Sequence, residues 1–232
     1  MSVTEDREQF YQILRILDGK IGGKRSLSNC SANMNWPERG MYFFFEKSEH
    51  RKNKDMRVVR VGTHALKRGS CTTLWDRLRQ HRGNINGNHP GGGNHRGSIF
   101  RLHVGTALIS KTGLDMPSWS IGNTASQQII EQEYQVEKLV SEYICSMPFV
   151  WVDIGDLPGP DSMRGYIERN SISLLSNYGK NDFIDKSSSQ WLGHYAWSDK
   201  IKQSGLWNVN HIDETYDPSF LEILRKFVEE SN

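Results

Sequence analysis

Gly40-Met41-Tyr42-Phe43-Phe44-Phe45-Glu46 and, after a charged stretch from Glu49 to Asp55, Arg57-Val58-Val59-Arg60-Val61-Gly62-Thr63 read as two strands joined by a polar reversal. Aromatic and β-branched residues at this density suit a pleated, half-buried surface, so the segment predicts a β-hairpin. Side chains alternate across a strand. If Phe43 and Phe45 face a core, Tyr42 and Phe44 face the opposite side.

Downstream of the hairpin, Thr73-Leu74-Trp75-Asp76-Arg77-Leu78-Arg79-Gln80-His81-Arg82 carries Leu74, Trp75 and Leu78 as one apolar stripe, and Gly83 stops the helix they predict. Arg77 and His81 are four residues apart, so a guanidinium and an imidazole on one helix face can address one anionic group together. Upstream, Ser2-Val3-Thr4-Glu5 has the capping-box pattern, and Phe10, Ile13, Leu14 and Leu17 follow at helical spacing. Residues 20–39 read as loop. Beyond Gly83 a long Gly- and Asn-rich stretch runs to Gly97, Ser98 to Gly105 reads as a strand, and Gln127 to Ile144 reads as an amphipathic helix through Ile130, Tyr134, Leu139, Val140 and Tyr143. Pro148 to Ile154 predicts a further strand. Asp161 is placed to N-cap a helix that buries Met163, Ile167, Leu174 and Leu175 and carries Glu168 at its middle, and Asp217-Pro218 opens a final amphipathic helix.

At 232 residues, with 36% hydrophobic and 10% aromatic residues, the chain can bury a full core. No run approaches membrane-spanning length, and the charged start lacks the apolar segment of a secretory signal. Three scattered cysteines, Cys30, Cys71 and Cys145, fit no metal-ligand spacing. A reduced, cytoplasmic protein is expected. The net charge of +2 hides a segregation: residues 51–101 hold twelve Lys or Arg against two acids, a balance of +10, so the rest carries −8. Six of the eight histidines fall between residues 50 and 103. That asymmetry is what a polyanion-binding face requires, although a solvated basic loop region would also produce it.

The order strand, strand, helix, strand, helix, with Tyr42 on the first strand, Arg77 and His81 on the helix after the hairpin, and Glu168 on the helix after the Pro148 strand, resembles the GIY-YIG nuclease superfamily. Gly40-Met41-Tyr42 stands where that family has GIY and Arg60-Val61-Gly62 where it has YIG, so Arg60 occupies the place of the second tyrosine. The resemblance implies an α+β fold: a small three-stranded antiparallel sheet flanked by helices, with additional helices. It divides the chain into an N-terminal helix and loop at 1–39, a nuclease-like domain at 40–177 with an insertion at about 83–147, and a Trp-rich extension at 178–232.

The chemistry such a site performs needs a base for water, charge on the non-bridging oxygens and help for the departing oxygen. Arg77 suits the second task, because its forked guanidinium stays charged and can hold two phosphate oxygens. His81 can orient water or share the phosphate, and Tyr42 or His64 is the candidate base. The resemblance makes Glu168 the ligand of Mg²⁺, or of Mn²⁺ in its place; an ion pair with Arg164, four residues before it, is the ordinary reading of the same carboxylate. Asn177 and Asn208 are equally available as a further site residue. Arg60, Lys67, Arg68, Arg79, Arg82, His95 and Arg96 are expected to contact nucleic-acid backbone, with DNA as the substrate and RNA an open alternative. Two other readings compete with the endonuclease: a catalytically inactive nucleic-acid-binding protein using the same basic face, motivated by Arg60, and an interaction domain docking an acidic protein.

Overall fold

A computed structural model describes residues 2–231. The expected α+β class holds, with seven α-helices and an antiparallel sheet among the described residues. The hairpin pairs β2 (Gly40–His50) with β3 (Met56–Gly62), and β4 (Pro148–Asp153) pairs with the other side of β2. A fourth, two-residue strand, β1 (Arg25–Ser26), lies against β4, so the order is β1-β4-β2-β3 rather than three strands alone.

Both faces of the sheet are covered. Met41, Phe43, Phe45, Val58 and Val61 pack on one face, whose core includes α1 (Val3–Lys20), α5 (Met163–Leu175) and α7 (Phe220–Glu230). Tyr42, Phe44 and Val59 point the other way, into a core built with α2 (Leu74–Arg82), α3 (Ile99–Thr112), α4 (Gln127–Ser146) and the tryptophans Trp191 and Trp207. The alternation read from Tyr42 to Phe45 is therefore real, but it separates two cores and not core from water. α6 (Asp199–Ser204) belongs to the C-terminal segment that closes this second core.

Local chemistry sets the helix ends. Ser2 and Glu5 form the capping box of α1, and Thr73 with Asp76 forms that of α2. Gly83, at φ 85°, ends α2 in a conformation that favours glycine. Several expectations about helix ends and faces fail, and Met163, expected on the buried side of α5, is exposed. Ser162, and not Asp161, caps α5. The stretch from Ser98 is the start of α3: the Ser98 side chain accepts from the Arg101 backbone N–H, and Phe100, Val104 and Ala107 are buried at helical spacing. Gly105 is a packing notch inside that helix, since a Cβ there would stand 2.0 Å from the Trp119 ring. In α4, Ile130 and Leu139 are exposed and the buried face runs through Glu133, Val136, Glu137, Val140 and Ile144.

Candidate active site

Tyr42 leaves β2 toward the second core, where it is wholly buried and its hydroxyl lies 2.8 Å from His81 Nε2. The other ring nitrogen of His81 lies 2.8 Å from Ser98 Oγ. His81 is itself fully buried between the edges of Tyr42, Phe44 and Phe100. Burial, with the cations Arg77, Arg60 and Arg101 around it, holds its pKa well below the ordinary imidazole value, so it is a neutral link between two hydroxyls. Gly62 makes this packing feasible. It stands directly across from Tyr42 in the hairpin, and a Cβ on it would fall 2.4 Å from the tyrosine hydroxyl. Gly40 is held as tightly: a Cβ there would meet the Val152 carbonyl oxygen at 2.4 Å.

Arg60 is aimed at the same place by a β-bulge. The register moves from Phe44↔Arg60 to Phe45↔Val58, leaving Val59 unpaired with a partner residue, so Val59 and Arg60 both face the second core. There Arg60 is buried, lies over the Phe100 ring with its guanidinium carbon 5.5 Å from the centroid, and donates to the Trp207 carbonyl at 2.7 Å. Its Nε has no partner, and no carboxylate among the described residues pairs with it. Burial pulls its pKa down, with Tyr42 and Glu168 as the groups that oppose the shift. Of the two asparagines, Asn208 lies against β3 and Asn177 does not. The Asn208 carboxamide accepts from Val61 N–H at 3.1 Å and donates to Val61 C=O at 2.9 Å, while the Trp207 N–H donates to the Val59 carbonyl, so the segment serves as a substitute strand on β3. Asn177 instead accepts from Ile184 N–H.

Glu168 stands on α5 where β3 ends. Its Oε1 accepts from Thr63 N–H at 3.2 Å, and burial pushes its pKa up against the pull of Arg60, His211, the Thr63 N–H and Arg77. The ordinary ion pair with Arg164 does not form: that guanidinium, fully buried, pairs with Asp156 and donates to the carbonyls of His64 and Ala65. Among the described residues Oε2 of Glu168 has no hydrogen-bond or ion-pair partner, and a single free carboxylate oxygen is the kind of donor set on which Mg²⁺ keeps most of its shell as water and phosphate. No group of three or more potential metal ligands exists among the described residues, so any cation bound here is held sparsely.

His64 does not fit the role of base. Its Nε2 accepts from Gly40 N–H at 3.3 Å and its Nδ1 faces the Thr72 carbonyl at 2.8 Å, which leaves no nitrogen for water. Burial, with Arg164 and other cations nearby, pushes its pKa down to about 4. Thr63 reinforces this corner by donating to Gly40 C=O.

Arg77 and His81 do share α2, but they divide their work. Arg77 is half-buried and donates to Gln80 Oε1 and, at 3.3 Å, to the Gly97 carbonyl, while His81 points inward to Tyr42. Lys67 and Arg68 are exposed and free to meet a polyanion, and Arg79, also exposed, makes only a long surface pair with Asp76 at 3.7 Å. Three other expected contacts are committed to the fold. Arg82 donates to Cys30 C=O and covers the Trp75 ring; His95 stacks on Trp119 and bonds Glu137; Arg96 makes a two-pronged pair with Glu133 at 2.6 and 2.9 Å. Arg51, Arg57 and Arg101 are likewise paired with the buried acids Asp185, Glu49 and Glu137. About half of the basic excess in residues 51–101 is thus internal.

Three residues, Ser98, Trp207 and His211, escape a reading of the sequence. Ser98, read as the first residue of a strand, orients His81; the period Phe100, Val104, Ala107 would have revealed the helix it caps. Trp207, next to the Asn208 that the sequence offers as a candidate, reaches β3 over a separation of 147 residues, which no local pattern encodes. His211, at φ 62° and bonded to Glu214, bears on Glu168 from the same segment. A family model described as GIY-YIG domain matches residues 1–232. No curated protein and no solved structure matches the chain.

Proposed function

The chain belongs to the GIY-YIG domain family, and on that footing we propose that it is a metal-dependent endonuclease that hydrolyses phosphodiester bonds in DNA. One observation carries the reading: Tyr42 contacts His81, Glu168 bonds Thr63 next to the Gly62 that faces Tyr42, and the charges of Arg60 and Arg77 bear on both His81 and Glu168, although these residues are spread over more than a hundred positions of chain. In this reading Tyr42 takes the proton of the attacking water as its own hydroxyl proton passes to Nε2 of neutral His81, whose Nδ1 side Ser98 steadies. Arg77 neutralises charge on the non-bridging oxygens, and Arg60, in the place of the family's second tyrosine, adds a second cation. A divalent cation at Glu168, Mg²⁺ or Mn²⁺, supplies charge for the phosphate and the departing oxygen when bound. Glu168 Oε2 is the residue atom that would hold it. Lys67, Arg68 and Arg79 meet the backbone beyond the cut.

The test is nicking of supercoiled plasmid by purified protein with Mg²⁺ or Mn²⁺, beside the Glu168→Gln variant. Metal-dependent nicking lost in the variant is expected. Absence of cleavage on every DNA and RNA form, or activity that survives Glu168→Gln, overturns it. A second reading, binding without cutting, is favoured by a specific observation: Tyr42 is fully closed off from solvent and Arg60 stands beside it. It predicts salt-dependent binding with no hydrolysis under any metal.

A further inference from the structure

Between the C-terminal turn of α2 and the loop that follows it lies an open groove of about 600 Å³, lined by Arg79, Gln80, Asn84, Ile85, Asn86 and Asn94. Gly97 closes its end, and the carbonyl of Gly97 is the one that accepts from Arg77, so the groove begins where the candidate phosphate arginine sits. Four other concavities of similar size each include Asp or Glu in their walls; this one has no carboxylate among the described residues. Its polar atoms are carboxamides and guanidinium groups, which suit phosphate and sugar oxygens and bear no charge that repels them.

The loop that forms the outer wall is built, although its Gly- and Asn-rich composition suggests a tether. Asn84 N–H donates to Gly92 C=O and Gly91 N–H to Asn84 C=O, closing its base like a short ladder. Tyr134 pins Pro90 from α4 at 2.6 Å. Beneath it, Arg101 is wholly buried and tied to Glu137, Ser141 and the His81 carbonyl, so the loop base and the helix bearing His81 rest on one support. The space is tight: a Cβ on Gly93 would fall 2.2 Å from the Arg101 guanidinium and one on Gly83 2.2 Å from Gly92 C=O. At the tip, Ile85 is 59% exposed and flanked by the asparagines. An apolar side chain held out between hydrogen-bonding amides at a groove rim is suited to rest on base faces while the amides hold the backbone.

We propose that this groove seats the nucleic-acid strand that flanks the phosphodiester addressed at Arg77, with Arg79 and the Asn86 and Asn94 carboxamides on the backbone and Ile85 against the bases. The proposal rests on the reading of the neighbouring site as a nuclease centre, and it concerns where the substrate lies and not whether it is cut. Asn86→Asp places an anion in the groove on an exposed loop tip, and Lys226→Ala changes the net charge equally on distant α7. In a Glu168→Gln background, anisotropy of a short fluorescein-labelled DNA duplex and of the corresponding single strand, at one fixed salt concentration, reads the affinity. Asn86→Asp and Arg79→Glu are expected to weaken binding by about ten-fold each, the size of one lost charge-assisted contact, and Ile85→Ser by several-fold, with Lys226→Ala at the parent value. Groove variants that bind as the parent does overturn the proposal, and if the wild type still nicks plasmid the nuclease reading stands without it. Groove-dependent binding by a wild type that cuts nothing sinks the nuclease reading and leaves the seat in place. A parent that binds neither duplex nor single strand refutes both.

Discussion

The Tyr42 hydroxyl and His81 Nε2 are 2.8 Å apart inside the second core, and Ser98 holds the far side of the same ring. His81→Ala strips both hydroxyls of a partner and leaves a void, so it is expected to cost about 3 kcal/mol of stability and to lower cleavage about a hundred-fold. Tyr42→Phe keeps the ring packing and should cost only about 1 kcal/mol while losing a similar share of the cleavage rate. Urea unfolding and single-turnover cleavage on the two variants separate packing from chemistry. Equal activity in Tyr42→Phe and wild type would remove Tyr42 from the reaction.

Glycine at position 62 is required by its neighbour across the hairpin. Gly62→Ala presses a methyl group against the Tyr42 ring, with contacts of 2.4 to 2.6 Å, and is expected to destabilise by about 1–3 kcal/mol as the ring is displaced. Gly19→Ala, in open space near the end of α1, serves as control and should not destabilise. Thermal melts compare them; an unchanged melting temperature for Gly62→Ala would mean that Tyr42 lies elsewhere.

Glu168→Gln should abolish metal-dependent cleavage and leave the fold intact or slightly more stable at neutral pH. Burial raises the carboxyl pKa, so ionising it works against the folded state, and the neutral amide keeps an oxygen to accept from Thr63 N–H. A clear loss of stability in the variant would show that the carboxylate is structural.

Acid should weaken the fold through His64. Its folded pKa, about 4, lies below the ordinary 6.5, so the stabilisation is present in full above about 6.5 and is lost as the pH falls toward 4. The amount is on the order of 3 kcal/mol. Urea titrations at neutral pH and at about pH 4.5 should show the drop, and His64→Gln should flatten part of it, the remainder belonging to His81 and His103, whose pKa values burial also lowers. An unaltered slope in the variant would contradict the assignment.

Cations of one segment should behave in two ways. Arg96→Ala breaks a buried two-pronged pair with Glu133 and is expected to cost about 3 kcal/mol with no change in the salt dependence of DNA binding. Arg68→Ala on the exposed loop should leave stability alone and reduce the salt slope by about one. Melts and anisotropy over a salt series test both.

Much of this was legible in the chain. The hairpin, the α2 capping box, the helix bearing Glu168 and the last helix announce themselves through periods and caps that act over a few residues. The sequence also points to Tyr42, Arg77, His81 and Glu168 as an ordered set. Ile99, Phe100 and Val104 favour strand locally, which points to a strand from Ser98, whereas the helix that Ser98 caps is decided by packing against Trp119 and His81. Charge misled for a similar reason: composition counts Arg82, Arg96 and Arg101 as surface cations, but their partners Glu133, Glu137 and the Cys30 carbonyl come from distant segments. The aim of Arg60 depends on a single unpaired residue, Val59, which no propensity encodes.

The substitute strand formed by Trp207 and Asn208 has a consequence for how the protein is made. The hairpin leaves the ribosome earlier, yet the free edge of β3 finds its cover only once Trp207 and Asn208, well over a hundred residues further along, have been synthesised. α1 waits longer still, since Lys20 is tied to the carbonyls of Glu229 and Ser231. During that interval an aromatic strand pair stands with an open ladder, the condition in which strands recruit strands from other chains. High contact order of this kind makes slow folding and a dependence on chaperones or low temperature during expression the expected behaviour, and it makes any truncation before Asn208 a route to aggregates.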